Sequence, residues 1–101
     1  MGSTTQLPPI HPGEALRDEF LAPLAMSGHE LALALRVPAT RIHDIVNEKR
    51  GITADTAMRL SRYFGTTAKF WLNLQVSYEL EVAEDRFSKA VMRDVLPRTA
   101  A

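Results

Sequence analysis

Between Ser27 and Arg50, in SGHELALALRVPATRIHDIVNEKR, the apolar side chains fall in two short groups on either side of a proline. Leu31, Ala32 and Leu35 recur at helical spacing and predict a helix over residues 28–35, with Ser27 as the N-cap whose hydroxyl accepts from a first-turn amide. Arg36-Val37-Pro38 interrupts it, because Pro38 disfavours the α conformation at Val37 while being well tolerated at the start of a new helix. Ile42, Ile45 and Val46 then predict a second helix over residues 39–47 with those three side chains facing inward. Ala32 is small where two helices must cross closely, and Val37 fills the turn. A small residue, a turn and paired apolar residues at these spacings predict a DNA-binding helix-turn-helix.

The flanking pattern extends this into an all-α domain. Residues 1–10 are polar, contain Pro8-Pro9, and read as a flexible N-terminal arm. In HPGE, Pro12 suits a first helical turn and Glu14 favours its dipole. Leu16, Phe20 and Leu21 make a stripe over a helix that is expected to end before Pro23, with Leu24 and Met26 beneath the helix-turn-helix. After Gly51, Thr53 caps a further helix, Ile52 and Ala57 form a hydrophobic staple, Ala57, Leu60 and Phe64 supply its buried stripe, and Gly65 stops it. Arg59 and Arg62 lie elsewhere on that helix, as phosphate contacts or solvated surface residues.

Thr67 caps a longer helix running to Phe87. Its Trp71, Leu74, Tyr78 and Val82 share one face, whereas Phe70, Leu72, Val76 and Leu80 fall around other sides. A single small core needs one apolar face, so Phe70, Leu72, Val76 and Leu80 are the expected homodimer interface. Residues 88–96 fit a short helix or a strand equally well. The expected organisation is an arm over 1–10, a helix-turn-helix domain over 11–87, and a short C-terminal extension over 88–101 as a candidate for dimerisation.

Composition narrows the function classes. The chain has 101 residues, 46% hydrophobic and 24% charged, as in globular domains, and no cysteine, which removes disulfides and thiolate metal sites. No apolar run approaches the ~18–20 residues of a membrane span, and the N-terminus lacks the basic and apolar blocks of an export signal. A cytoplasmic, nucleoid-associated protein is expected, with no membrane partner. Net charge is zero, yet residues 36–65 carry six bases against three acids while residues 1–35 carry one base against four. Positive charge is thus concentrated on the second helix of the pair and on the residues after it, a local footprint for nucleic acid. His11, His29 and His43 are scattered, and His29-Glu30 lacks the second histidine of a zinc-protease helix because position 33 is Leu33. No catalytic residues, metal or cofactor are expected, and the chain reads as a non-enzyme.

Thr40, Arg41, His43, Asp44 and Asn47 project from the outer side of the second helix, with Lys49 and Arg50 just beyond its end. Such a face offers donors and acceptors to base edges in a major groove. From Ile10 to about Glu84 the chain resembles the HigA family of antitoxins, phage-repressor-like helix-turn-helix proteins of bacterial type II toxin–antitoxin modules. The resemblance rests on HPGEALRDEFL, on LALRVPATRIHDIVNEKRGITADTAMRLSRYFGTT and on KFWLNLQ, of which NEKRGITADTAMRLSRYFGTTAKFWLNLQ is the most specific.

It implies a compact five-helix repressor-like domain with a long fifth helix, homodimerisation, binding to operator DNA in the module's own promoter, and neutralisation of a HigB-type mRNA-cleaving toxin. A stand-alone repressor without a toxin is the alternative. By position, Thr40, Arg41 and His43 become the base readers, with Ser27, Asn47, Lys49 and Arg50 at the DNA backbone. Two residues depart from related repressors. Gly28 stands where Gln is usual, and Arg36 where Gly is usual because the turn requires a positive φ.

Overall fold

Pro12 opens the first helix at no cost in hydrogen bonding, because the N–H it lacks would be unpaired at that position. His11 caps the helix, its Nδ1 accepting from the Gly13 amide at 2.9 Å. The computed structural model describes residues 8–99, which form five helices and no strand. Helix α1 covers residues 12–24 in three joined pieces: α-helical Pro12–Ala15, a π-helical stretch Leu16–Leu21, and Ala22–Leu24. It is followed by α2 (Gly28–Leu35), α3 (Ala39–Val46), α4 (Ala54–Phe64) and α5 (Ala68–Asp94). Of the expected arm, residues 1–7 lie outside the described residues, and residues 8–10 take no regular structure.

The caps agree with the sequence. Ser27 Oγ accepts from the Glu30 amide at 3.0 Å while Glu30 Oε1 accepts from the Ser27 amide at 2.8 Å, a complete capping box. Thr53 and Thr67 cap α4 and α5 in the same sense. The end of the first helix differs from expectation. The first helix does not stop before Pro23. The Ala22 amide donates back to the Arg17 carbonyl, a widened turn that lets the helix carry a proline in its last turn.

Three helices in succession then close with a left-handed residue that is not glycine: Ala25 (φ 51°), Arg36 (φ 61°) and Glu48 (φ 63°). In each, the next amide reaches back five residues, Met26 to Leu21, Val37 to Ala32, and Lys49 to Asp44. These are Schellman closures, which orient Met26 and Val37 onto the core. Leu24, expected beneath the helix-turn-helix, stays on the outer side of the reversal at Ala25 and is exposed.

Leu16, Leu21, Leu31, Ala32, Leu35, Ile42, Ile45, Ile52, Ala57, Leu60 and Trp71 form one buried core contributed by all five helices and the α3–α4 loop. Trp71 is fully buried with its Nε1 donating to Thr66 Oγ1 at 2.7 Å, and Phe20, Phe64 and Phe70 pack around its ring. Helix α1 crosses α3 at Gly13, where a Cβ would stand 1.7 Å from the Ile45 carbonyl oxygen. Nothing but glycine fits there.

Helix α5 outgrows this core. The radius of gyration is 17.2 Å, against ~13 Å for a compact chain of this length, because its second half projects beyond the other helices. Residues 88–94 continue it without a break, which resolves the helix-or-strand ambiguity there in favour of helix. Val76, Leu80, Phe87 and Val91 are exposed and succeed one another at three- and four-residue spacing with Ala83 between. Leu72 shares that line but packs partly on its own core. Phe70 lies about 120° around the helix from Val76, against Phe20 and Trp71.

Candidate nucleic-acid interface

The core side chains Ile42 and Ile45 orient α3, since burying both leaves one way for the helix to face. Thr40, His43 and Asn47 emerge together on the exposed side, with Asp44 half-buried among them. Arg41 sits at the flank of this face, turned toward α4, where its Nη1 donates to Asp55 Oδ2 at 2.6 Å. Lys49 and Arg50 lie just past the C-terminal closure of α3, and Arg50 faces Asp44 at 3.6 Å. Ser27 is exposed at the start of α2. Its amide and its oxygen serve the capping box, which leaves the hydroxyl proton free to donate outward. Gly28 lies directly against α3, and a Cβ there would meet His43 Cδ2 at 3.0 Å and Ile42 Cγ2 at 3.5 Å.

The electrostatics are finer than the +3 of residues 36–65 suggests. Arg41 and Arg59 share Asp55, and Arg50 faces Asp44. Among the described residues, Arg36, Lys49 and Arg62 are the exposed bases of this segment outside an ion pair. Hydrogen bonds from Arg41 and then Arg59 hold the Asp55 carboxyl below the usual carboxylate range, so it stays ionised.

Arg17 and Gln75, which sequence reasoning passed over, and Arg59, which it left as a phosphate contact or a solvated surface residue, hold α3 and its neighbours in place. Arg17 donates from Nη1 to the Val46 carbonyl at 2.6 Å, satisfying an orphan acceptor at the end of α3 and placing a cation at its negative pole. Arg59 is not a free surface residue: its Nη1 donates to the Leu35 carbonyl at 2.9 Å, closing the end of α2 in the same way. Gln75 Oε1 accepts from the Ile52 amide at 2.7 Å and ties the loop after α3 to α5. These contacts span 29, 24 and 23 residues, and no local pattern announces them. Asp55 carried a local signal, a carboxylate in a first turn four residues before Arg59.

Comparison with known proteins agrees with this geometry. A helix-turn-helix family model matches residues 18–71. Virulence-associated protein I of Dichelobacter nodosus is 58% identical over 79 residues, 78% of this chain and 73% of that protein. Antitoxin HigA-1 of Vibrio cholerae is 32% identical over 85 residues, 84% and 80% of the two chains. The structure of Pseudomonas aeruginosa antitoxin HigA with the higBA promoter superposes with a TM-score of 0.87 at 50% identity, covering 90% of this chain and 99% of that one. Antitoxin GraA in complex with its operator gives 0.88 at 38% identity, over 98% and 100%. With its outward α3, its five-helix core and these relatives along nearly its whole length, the chain belongs to the HigA family of helix-turn-helix antitoxins, a family of regulators and not of enzymes.

Proposed function

We propose that this chain is the antitoxin of a type II toxin–antitoxin module, binding operator DNA as a homodimer to repress its own promoter and neutralising a HigB-type mRNA-cleaving toxin. The observation that carries the DNA half is the exposed row Thr40, His43 and Asn47 on a helix whose opposite side is locked by Ile42 and Ile45. The same fold is seen in a HigA solved with its promoter and a GraA solved with its operator.

Each subunit lays α3 in a major groove, with half-sites about one turn (~34 Å) apart. Arg41 donates to a guanine edge, worth roughly 1–3 kcal/mol of discrimination, and Thr40 and His43 add smaller contacts. Ser27, Asn47, Lys49 and Arg50 contact phosphates, and the cations make affinity salt-dependent through counterion release. The dimer forms along α5, where Val76 and Leu80 continue the line of Leu72, with Phe70 contributing from its own flank. Residues 88–94 extend the same helix into that interface. A dimer over the promoter represses by occupancy, and toxin capture by the same protein couples repression to toxin level.

The test is a titration of the purified chain against its upstream DNA and a scrambled fragment at two salt concentrations, with mass measured by light scattering. Preferential, salt-dependent binding by a dimer is expected. Equal weak binding to both fragments refutes operator recognition, a wild-type monomer refutes the homodimer, and a dimer that Leu80→Glu leaves intact refutes the α5 interface. A HigB-type toxin co-expressed with the chain is expected to co-purify with it. Failure to do so, with operator binding intact, leaves a stand-alone repressor.

A further inference from the structure

We propose that Asp55, in the first turn of α4, is a positioning residue for sequence reading: it holds the Arg41 guanidinium so that it meets a base edge instead of sweeping the phosphates. The inference rests on Arg41 reading a base, as proposed above.

Arg41 Nη1 donates to Asp55 Oδ2 at 2.6 Å. The carboxylate is itself held from behind, because Arg59 Nε donates to both of its oxygens at 3.1 and 3.2 Å. Arg59 in turn is anchored on the Leu35 carbonyl at the end of α2. A continuous chain of hydrogen bonds therefore runs from the end of α2, through α4, to the flank of α3.

The network has the wrong setting for a stability device. The side chains of Arg41, Asp55 and Arg59 are 29%, 55% and 41% exposed, and ion pairs so open to water contribute little to folding. An aspartate at the rim of a phosphate-binding surface also lowers affinity for any DNA. Its benefit is geometric. Arginine has five N–H donors, and one bond to Asp55 leaves the rest of the fork to address a guanine O6/N7 pair. Asp55 also offsets one of the two positive charges of Arg41 and Arg59, so that the two arginines together add less to the non-specific, counterion-driven attraction that every sequence shares.

Fluorescence anisotropy with the full chain separates the possibilities. The probes are the upstream fragment, its single-base variants and a scrambled fragment, over a range of salt, for wild type, Asp55→Asn, Arg41→Ala and the double variant. Asp55→Asn is expected to lose about tenfold of the preference at one base pair. It should tighten on scrambled DNA and steepen the salt dependence by about one phosphate contact. Arg41→Ala should lose the same preference, and Asp55→Asn should then change nothing further at that base pair.

If Arg41→Ala abolishes the preference while Asp55→Asn keeps it with the wild-type salt slope, positioning by Asp55 is overturned and base reading by Arg41 stands. An Asp55→Asn effect on that base-pair preference that persists in the Arg41→Ala background also overturns it. If Arg41→Ala changes no preference, base reading by Arg41 is itself refuted. Should Asp55→Asn lower the melting temperature enough to obscure binding, Asp55→Ser, which keeps a first-turn side chain suited to the helix start, is read in the same way.

Discussion

Gly13→Ala is the substitution whose consequence the structure specifies most sharply. The Cβ it introduces would stand 1.7 Å from the Ile45 carbonyl oxygen and 2.8 Å from its carbon. Both are backbone atoms in α3, so no rotamer change relieves the overlap. Either α1 or α3 must move by more than an ångström, and both are pinned, α1 by the buried Leu16 and Leu21, α3 by Ile42 and Ile45. Overpacking a close-packed site costs about 1–3 kcal/mol when side chains can adjust, and a backbone obstacle puts this case at about 3 kcal/mol. For a domain of this size that is a fall in melting temperature of roughly 12–24 °C. Thermal denaturation by circular dichroism, with a urea titration to confirm an unchanged m-value, measures it. A variant melting within about 2 °C of wild type would show that α1 and α3 are not in contact at Gly13, and the orientation assigned to α3 would be refuted with it.

Arg36→Gly should raise stability by about 1 kcal/mol and the melting temperature by about 4–8 °C, because a left-handed L-residue costs ~1–2 kcal/mol and glycine returns part of that through unfolded-state entropy. A lower melting temperature would mean that Arg36 makes a compensating contact. Trp71→Ala should cost about 3–5 kcal/mol, seen as a lower urea midpoint, since it empties the centre of the aromatic cluster and orphans Thr66. His11 should make the fold acid-sensitive. Burial chiefly lowers its pKa, partly opposed by Glu48, so the unfolded chain binds the proton more readily than the folded one. Stability is then full above the unfolded value near 6.5 and declines as pH falls below it toward the lower folded pKa. His11→Asn, which keeps a capping acceptor, should flatten the melting-temperature slope below pH 6.5, and an unchanged slope would exclude His11 as its source.

The local grammar of the chain was sufficient for most of the fold. Ser27, Thr53 and Thr67 as caps, Pro12 as a first-turn residue and Gly65 as a stop depend on interactions within one or two turns, and such rules act before tertiary structure exists. The inward stripe of Ile42, Ile45 and Val46 likewise implied an outward face of Thr40, Arg41, His43, Asp44 and Asn47, of which Thr40, His43 and Asn47 are exposed and Arg41 and Asp44 half-buried, because a helix that buries one side must present the other.

What the tertiary structure decided is how that row is supported and restrained. Pro23 belongs to its helix because of a π-helical turn that propensity does not encode, and Ala25 and Glu48 take positive φ because packing on either side forces the reversal. Arg17, Arg59 and Gln75 act on α3 and its neighbours across more than twenty residues of sequence. Arg41 looks like a free side chain in sequence and is a restrained one in space, because Asp55 stands beside it on another helix. Hydrophobic periodicity records which side of a helix is buried. It carries no information about which polar side chain from a distant turn comes to lie against the side left exposed, and in this chain that choice was made by the packing of α4 against α2 and α5.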